Sequence, residues 1–346
     1  MVKKNKDVKK MCKIVFFDTK PFVKDFFTKL NKENGYNFDI TFLNVRLNEE
    51  TVDLASGFDV VSIFVNDKVN KQVIEKLANF NIKLIATRSA GYNQVDLDGI
   101  KEKGIKLVRV PEYSPYAVAE YAFSLMMSLN RKIHKAYNRT REYNFDINGF
   151  MGMDLYGKNI GIIGTGKIGI CAIKIAKGFG MNVLAYDLYK NEQMEKELGF
   201  KYVTLENLYK DADVISLHCP LNTSTYHIIN KHSLGLVKND CILINTSRGG
   251  LVDTEELLNS LKNSRIGAVG LDVYEEEENY FFEDLSIKSY GIEDDILARL
   301  MTYNNVIVTS HQAFFTKEAV MNITQTTLKN IYDFKTGVEL VNEVKI

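Results

Sequence analysis

The sequence predicts an α/β protein built on two parallel sheets, and three observations carry that expectation. With 346 residues, the chain exceeds the ~250–300 residues at which a single hydrophobic core stops growing, so two lobes are expected. Short β-branched or aromatic runs alternate with longer segments of helical period, the pattern of strands joined by crossover helices. The alternation occurs twice, on either side of a polar, aromatic stretch without clear period at residues 134–156.

The first series starts with a strand at residues 14–17, a helix at 22–30 and a strand at 38–43. It continues through a strand at 60–65, a helix at 72–79, and strands at 83–87 and 107–110. Residues 110–115, Val-Pro-Glu-Tyr-Ser-Pro, close it, because each proline restricts itself and the residue before it. A strongly helical segment, 117–131, follows, with Ser114 able to cap it and Pro115 suited to its first turn. Residues 134–156 read as a connector. The second series places strands at 159–163, 183–186, 201–203, 214–217, 242–244, 268–271 and 306–309, with an acidic, aromatic excursion at 275–299 before the last. A closing helix at 315–336 carries Val320, Ile323, Leu328 and Ile331, but its own pattern does not reveal where it packs.

Apolar residues make up 45% and charged residues 25%, an ordinary globular mixture that argues against disorder or a fibrous repeat. Lys plus Arg equals Asp plus Glu at 44 each, which removes the electrostatic case for nucleic acid and points to a small partner. The Lys-rich residues 1–10 read as a solvated tail, with no apolar stretch of signal-peptide length. No window approaches the ~18 apolar residues of a membrane helix. Cys12, Cys171, Cys219 and Cys241 form no C-x-x-C pair; they fit a reducing cytoplasm and the ordinary role of small buried apolar residues.

Gly164-Thr165-Gly166-Lys167-Ile168-Gly169 follows an apolar strand and opens a helical pattern. Alone, G-x-G-x-x-G marks only a strand-to-helix turn; in this context it is a dinucleotide fingerprint. The first glycine permits the turn, the second lets backbone approach a pyrophosphate, and the third lets helix and strand pack, while the helix N-terminus offers free N–H groups. Asp187 ends the next strand, near the spacing of a carboxylate that accepts from the adenosine ribose hydroxyls. It would repel a 2′-phosphate, and Leu188-Tyr189 supply no Arg to receive one. NAD is therefore expected rather than NADP, and no metal is called for.

Three separated residues suit reduction of a keto acid: Arg248 in Asn-Thr-Ser-Arg-Gly, Glu277 past the strand-end Asp272, and His311 in Ser-His-Gln-Ala-Phe. Arg248 and His311 follow runs that read as buried strands, and ligands of open α/β sheets bind beyond the carboxyl ends of strands. His311 suits proton delivery to a developing alkoxide. A neighbouring Glu277 would orient the ring and keep the acid form at working pH. Arg248 offers a planar, permanently charged fork for a carboxylate. Taken singly, each is equally compatible with a packed or solvated side chain, and Glu277 sits in an acidic run.

Together these motifs resemble the D-isomer-specific 2-hydroxyacid dehydrogenase family from Lys13 to about Asn342. The stretches 64–67, 88–93, 108–111, 156–158, 164–169, 215–221, 245–249, 270–274 and 311–314 are closer still to bacterial fermentative D-lactate dehydrogenases. The resemblance implies that Arg248, Glu277 and His311 are the catalytic trio, acting on pyruvate and D-lactate with NADH. It implies that N–H groups around Ala90 and Gly91 receive the substrate carboxylate alongside Arg248, with Tyr113, Phe314 and Phe64 bordering the pocket. Bulky Phe64 and Phe314 would favour a small side chain. His218, Cys219 and Pro220 are implied at the adenine side, Thr246 and Asp272 at the nicotinamide end, and Ser247 with Lys167 and Ile168 in the cofactor-binding set.

The implied architecture inserts a Rossmann-like NAD domain, residues 113–312, into a flavodoxin-like substrate domain of residues 1–112 and 313–346. A homodimer or homotetramer in the cytoplasm is likewise implied. Departures are mild: Ser310 stands where Pro or Gly is frequent and Tyr92 where Phe is common. Related activities of the family, glyoxylate or hydroxypyruvate reduction, are the alternative. Formate dehydrogenases pair their His with Gln, against which Glu277 argues, and phosphoglycerate dehydrogenases commonly carry a further regulatory domain. An NAD-binding corepressor is the remote alternative, and the long tails of such proteins are absent.

Overall fold

In the computed structural model, which describes residues 11–286 and 291–346, the chain divides into two units. One runs to Ser114 and resumes at Thr316; the other spans Pro115–Phe315. The expected N-terminal tail, and residues 287–290 of the acidic excursion, lie outside the described residues.

The outer unit holds β1 (Lys13–Phe16), α1 (Pro21–Glu33), β2 (Asp39–Phe42), β3 (Val60–Ile63), α2 (Lys71–Asn79), β4 (Leu84–Thr87), α3 (Leu97–Lys103), β5 (Lys106–Val108) and, after the second unit, α12 (Lys317–Thr336). Its strands form one parallel sheet in the order β2-β1-β3-β4-β5, the flavodoxin-like order. Alternate residues of a strand point to opposite faces, and both faces are covered. Val15, Val61, Ile63, Ile85 and Leu107 join Val73, Ile74 and Leu77 of α2. Ile14, Phe16, Val60, Leu84 and Val108 join Val23, Phe27 and Leu30 of α1 and Leu328 and Ile331 of α12. The closing helix, whose sequence did not show its partner, therefore completes the first sheet. Strand β3 stops at Ile63 rather than residue 65, because the Phe64 N–H turns aside to the Asp67 carboxylate at 2.6 Å.

The second unit begins with α4 (Pro115–Arg131) and α5 (Ile133–Arg141). Helix α5 corrects the expectation of an irregular connector from residue 134. It buries none of its residues, and its large apolar side chains are only Ile133 and Tyr137, both exposed, a short stripe that does little to signal a helix. It is held locally, with Arg141 donating to the Tyr137 hydroxyl one turn back at 2.7 Å. Then follow β6 (Asn159–Ile163), α6 (Lys167–Gly178), β7 (Asn182–Tyr186), α7 (Glu192–Leu198), β8 (Lys201–Tyr202), α8 (Leu205–Asp211), β9 (Val214–Leu217), α9 (Lys231–Leu236), β10 (Ile242–Asn245), α10 (Thr254–Lys262), β11 (Ala268–Leu271), α11 (Asp295–Thr302) and β12 (Val306–Val308).

These strands form a parallel sheet ordered β12-β11-β10-β9-β6-β7-β8, the doubly wound Rossmann order extended by one strand. Helices α4 and α6 cover one face through Ala122, Phe123, Met126, Leu129, Ala172 and Ala176. Helices α8, α10 and α11 cover the other through Leu208, Leu257, Leu261, Leu297 and Leu300. The order reverses between β6 and β9, which is where such sheets bind ligands. All four cysteines are buried, and none forms a disulfide. Among the described residues, no helix is long and apolar enough to cross a membrane.

Candidate active site

Strands β10, β11 and β12 are neighbours, and the loops at their carboxyl ends carry Arg248, Glu277 and His311. Asn245, fully buried at the end of β10, folds the first loop back: its amide donates to the Arg248 carbonyl at 2.8 Å and its oxygen accepts from the Ser247 N–H at 3.0 Å. The Arg248 guanidinium donates to the Ser247 carbonyl at 2.6 Å. Gly249 then touches the next loop directly, since a Cβ there would sit 2.1 Å from the Tyr274 carbonyl carbon. Only glycine permits this approach of two backbones.

Glu277 is fixed at both oxygens. One accepts from the Tyr274 N–H at 3.0 Å, and the other lies 2.6 Å from His311 Nδ1. Both side chains are largely buried, at 17% and 16% exposure, which shields the pair from solvent. With Nδ1 engaged, Nε2 is the nitrogen left to face a substrate. His311 itself adopts a left-handed backbone, φ 51°, a conformation that costs a non-glycine residue ~1–2 kcal/mol.

Asp272 holds that conformation in place. Its carbonyl accepts from the His311 N–H at 2.7 Å. One carboxylate oxygen accepts from the Thr309 hydroxyl at 2.6 Å and the Gln312 N–H at 2.9 Å, and the other from the Ala313 N–H at 2.7 Å. Burial raises the Asp272 carboxyl above its ordinary value, opposed by these hydrogen bonds and by His311. The side chain is fully buried, so its oxygens serve the His311 loop.

The glycine turn lies at the reversal point of the sheet. A Cβ on Gly164, whose φ is +97°, would fall 2.5 Å from the Cys219 amide nitrogen, and one on Gly169 would fall 2.0 Å from the Gly164 carbonyl oxygen. Nothing lies within 4 Å of the corresponding point on Gly166, which opens the turn outward. No side chain caps α6 at Gly166, which leaves its first turn to an external anion. Asp187 accepts from the Thr165 N–H at 2.6 Å and from the Tyr189 N–H at 2.9 Å, which fixes it beside the turn.

Two other expected cofactor residues present unused polar atoms. Thr246 Oγ1 and His218 Nδ1 are buried without a partner in the chain. His218 Nε2 lies 2.9 Å from Ser216 Oγ, and burial pushes the imidazole down to about 4, so the ring is neutral. Burial also pushes the adjacent Cys219 thiol up to about 11, which makes it a wall rather than a nucleophile. Ser247 donates to the Cys219 carbonyl at 2.7 Å, tying the two loops together. Open N–H groups, a fixed carboxylate and orphaned buried atoms on one sheet edge fit a dinucleotide.

A family model for the NAD binding domain of D-isomer specific 2-hydroxyacid dehydrogenases matches residues 123–313. The chain belongs to that family. Its relatives include a 2-hydroxyacid dehydrogenase homolog of Haemophilus influenzae, 50% identical over 94% of this chain and 97% of that protein. The D-lactate dehydrogenase of Escherichia coli is 46% identical over 96% of this chain and 99% of its own length. The apo structure of the Escherichia coli enzyme matches with a TM-score of 0.86 at 44% identity, over 96% of this chain and all of that one.

The remaining residues expected in this dehydrogenase divide between the units. Phe64 and Arg88 leave adjacent strands side by side, after the paired Ile63 and Thr87. Arg88 is 2% exposed and donates to the Phe17 carbonyl at 2.6 Å and to Ser62 at 3.1 Å, with its guanidinium 5.5 Å from the Phe64 ring centre. It anchors the loop in which the Ala90 carbonyl accepts from Arg109 at 3.1 Å and the Gly91 carbonyl from Ser89 at 2.7 Å. The Tyr113 carbonyl accepts from Asn322 of α12 at 2.6 Å. Phe314 belongs to the second unit and is buried, 5.9 Å from Phe315. Pro220 accepts at its carbonyl from the Thr225 hydroxyl at 2.6 Å, while Lys167 and Ile168 open α6. Sequence reasoning misses Thr309 and Arg88 as anchors. The one available cue is a hydroxyl two positions before His311 and a lone Arg ending an apolar strand.

Proposed function

We propose that the chain is an NAD-dependent D-lactate dehydrogenase that reduces pyruvate to D-lactate with NADH and catalyses the reverse oxidation. The His311–Glu277 pair at 2.6 Å, set on a loop that Asp272 locks, is the observation that carries this reading. The cofactor supplies or accepts the hydride. His311 Nε2 delivers a proton to the substrate oxygen in reduction and removes it in oxidation, while Glu277 balances the imidazolium charge and fixes the ring. Arg248 holds the substrate carboxylate and polarises its carbonyl. Phe64, Ala90, Gly91 and Tyr113 are assigned to the substrate, which makes the unit closed by α12 the substrate domain. The aromatic rings favour the methyl of pyruvate over larger side chains.

The enzyme acts in the cytoplasm as a homodimer or homotetramer. Exposed apolar residues on α5, Ile133 and Tyr137, and in the segment after it, Tyr143, Ile147 and Met151, support self-association. The test is NADH oxidation by purified protein with pyruvate, glyoxylate, hydroxypyruvate and branched keto acids, followed by chiral analysis of the product. D-lactate from pyruvate as the preferred substrate is expected. Preference for hydroxypyruvate, or an L-product, overturns the assignment.

A further inference from the structure

The acidic run at residues 275–278 hides a second histidine–carboxylate pair. His227 Nε2 lies 2.6 Å from Glu275 Oε1, the same separation as His311 from Glu277, two positions along. The two histidines also share a left-handed backbone, with φ of 51° each. His227 leaves that region of the map no easier than His311 does, yet it stands in the loop after β9, where the trio has no member.

Its environment is built from three loops. The His227 N–H donates to the Gly250 carbonyl at 2.9 Å, and Ile229 donates to the Leu251 carbonyl at 3.0 Å and accepts from the Asp253 N–H at 2.8 Å. The Asn230 amide donates to the His227 carbonyl at 2.8 Å. Glu275 Oε2 accepts from the Thr254 hydroxyl at 2.9 Å, and the Tyr226 ring stacks on the imidazole at 3.9 Å between centres. Asp253 stands 3.7 Å from His227 Nδ1. The ring thus faces Glu275, Asp253 and Tyr226, and no cation faces it among these contacts.

Glu275 is therefore gripped from the β9 and β10 loops, while its backbone rests on Gly249, where a Cβ would meet the Glu275 nitrogen at 2.5 Å. Two residues on, Glu277 receives the Tyr274 N–H and His311. We infer that His227, through Glu275, is a positioning residue that fixes the 274–277 turn so that Glu277 meets His311 and the Arg248 loop keeps its place. The inference rests on the proposed dehydrogenase reading for its kinetic consequence, but its geometric content concerns the Glu277–His311 pair alone. The groups facing His311 are Glu277 and Asp272.

The test uses the full-length protein with His227→Ala, His227→Gln and Glu275→Gln. Ring-proton NMR follows the His311 signals, identified by their absence in His311→Asn; the chain holds five histidines, few enough to resolve. Steady-state pyruvate reduction is measured in parallel. His227→Ala should move the His311 ring signals, because the Nδ1 contact with Glu277 is disturbed, and lower kcat/KM on the order of tenfold to a hundredfold, the scale of a small misplacement of a catalytic group. His227→Gln, which can still donate to Glu275, should recover part of both. Unmoved His311 signals in folded His227→Ala, or a change in melting temperature with those signals and kcat/KM unmoved, overturns the inference. The wild-type rate with the keto-acid panel judges the dehydrogenase reading separately.

Discussion

Replacing Asp272 with Asn tests how the site holds His311. The carboxylate accepts two bonds at one oxygen, from Thr309 and Gln312, and one at the other, from Ala313. An amide has a single acceptor oxygen, best kept where two donors converge, so its NH2 group then confronts the Ala313 N–H. Ala313 is 4% exposed, so no water relieves the clash. Losing a hydrogen bond to a charged acceptor costs ~1.5–3 kcal/mol, and the stranded N–H adds ~1–3 kcal/mol. Against this, a neutral amide avoids burying a charge, the effect that raises the Asp272 carboxyl. The loss prevails because the three donors already offset part of that burial, whereas the amide both loses one bond and strands a donor.

A net weakening of ~2–4 kcal/mol exceeds the ~1–2 kcal/mol that the left-handed His311 requires, so the loop relaxes and the ring moves. A displacement near 1 Å lowers the rate by up to ~100-fold. Pyruvate reduction followed by NADH absorbance, with urea unfolding alongside, should therefore show kcat reduced ~10–100-fold and a lower midpoint. A kcat within about twofold of the parent, with an unmoved midpoint, refutes the role given to Asp272.

His311→Asn should lower kcat by ~100-fold or more with little change in NADH affinity, since the proton donor is lost and the nucleotide turn is intact; an unchanged rate ends the assignment. Glu277→Gln should lower kcat ~10–100-fold, because the His311 ring 2.6 Å away loses the carboxylate that fixes it; an unchanged kcat excludes the pairing. Asp187→Asn keeps an acceptor for Thr165 while removing the charge that repels a 2′-phosphate, so the NADPH to NADH ratio of kcat/KM should rise roughly tenfold, ~1.4 kcal/mol, and a constant ratio argues against Asp187 as the selector. Burial holds folded His218 near 4, below its ordinary ~6.5, so its contribution is fully present above pH ~6.5 and lost as pH falls towards 4. At ~1.4 kcal/mol per unit the loss approaches ~3 kcal/mol; His218→Asn should flatten the acid limb of unfolding free energy, and identical slopes would remove burial as the cause.

The central strands were legible because both sheets are covered on both faces, which makes them fully buried, mostly apolar runs such as Val60–Ile63 or Ile242–Asn245. Helix α5 was not, because it buries nothing within the chain and carries only Ile133 and Tyr137 as large apolar side chains. For α12 the stripe was visible but its partner was not, since amphipathicity shows that a face is covered and not by what. The glycine turn was readable because its three glycines fall within six consecutive residues, although Gly164 also makes room for the distant Cys219 amide. The acid–base pair was readable only as residue types: His311 and Glu277 lie 34 positions apart, and composition does not separate Glu277 from Glu275, which the fold pairs with a different histidine. Asp272 looked like a strand end because two of its three carboxylate partners are backbone N–H groups, to which sequence is blind.

The interrupted outer unit sets an order of events during synthesis. Residues 115–315 are contiguous, so their sheet can close as soon as they leave the ribosome. The first sheet cannot: Ile14, Phe16, Val60, Leu84 and Val108 share a face with Leu328 and Ile331 of α12, both 0% exposed. Truncating one such side chain typically costs ~2–5 kcal/mol, against a usual total of ~5–15 kcal/mol. A chain that lacks α12 therefore carries a contiguous second unit tethered to a sheet with one apolar face uncovered, the kind of exposed surface through which incompletely folded chains associate.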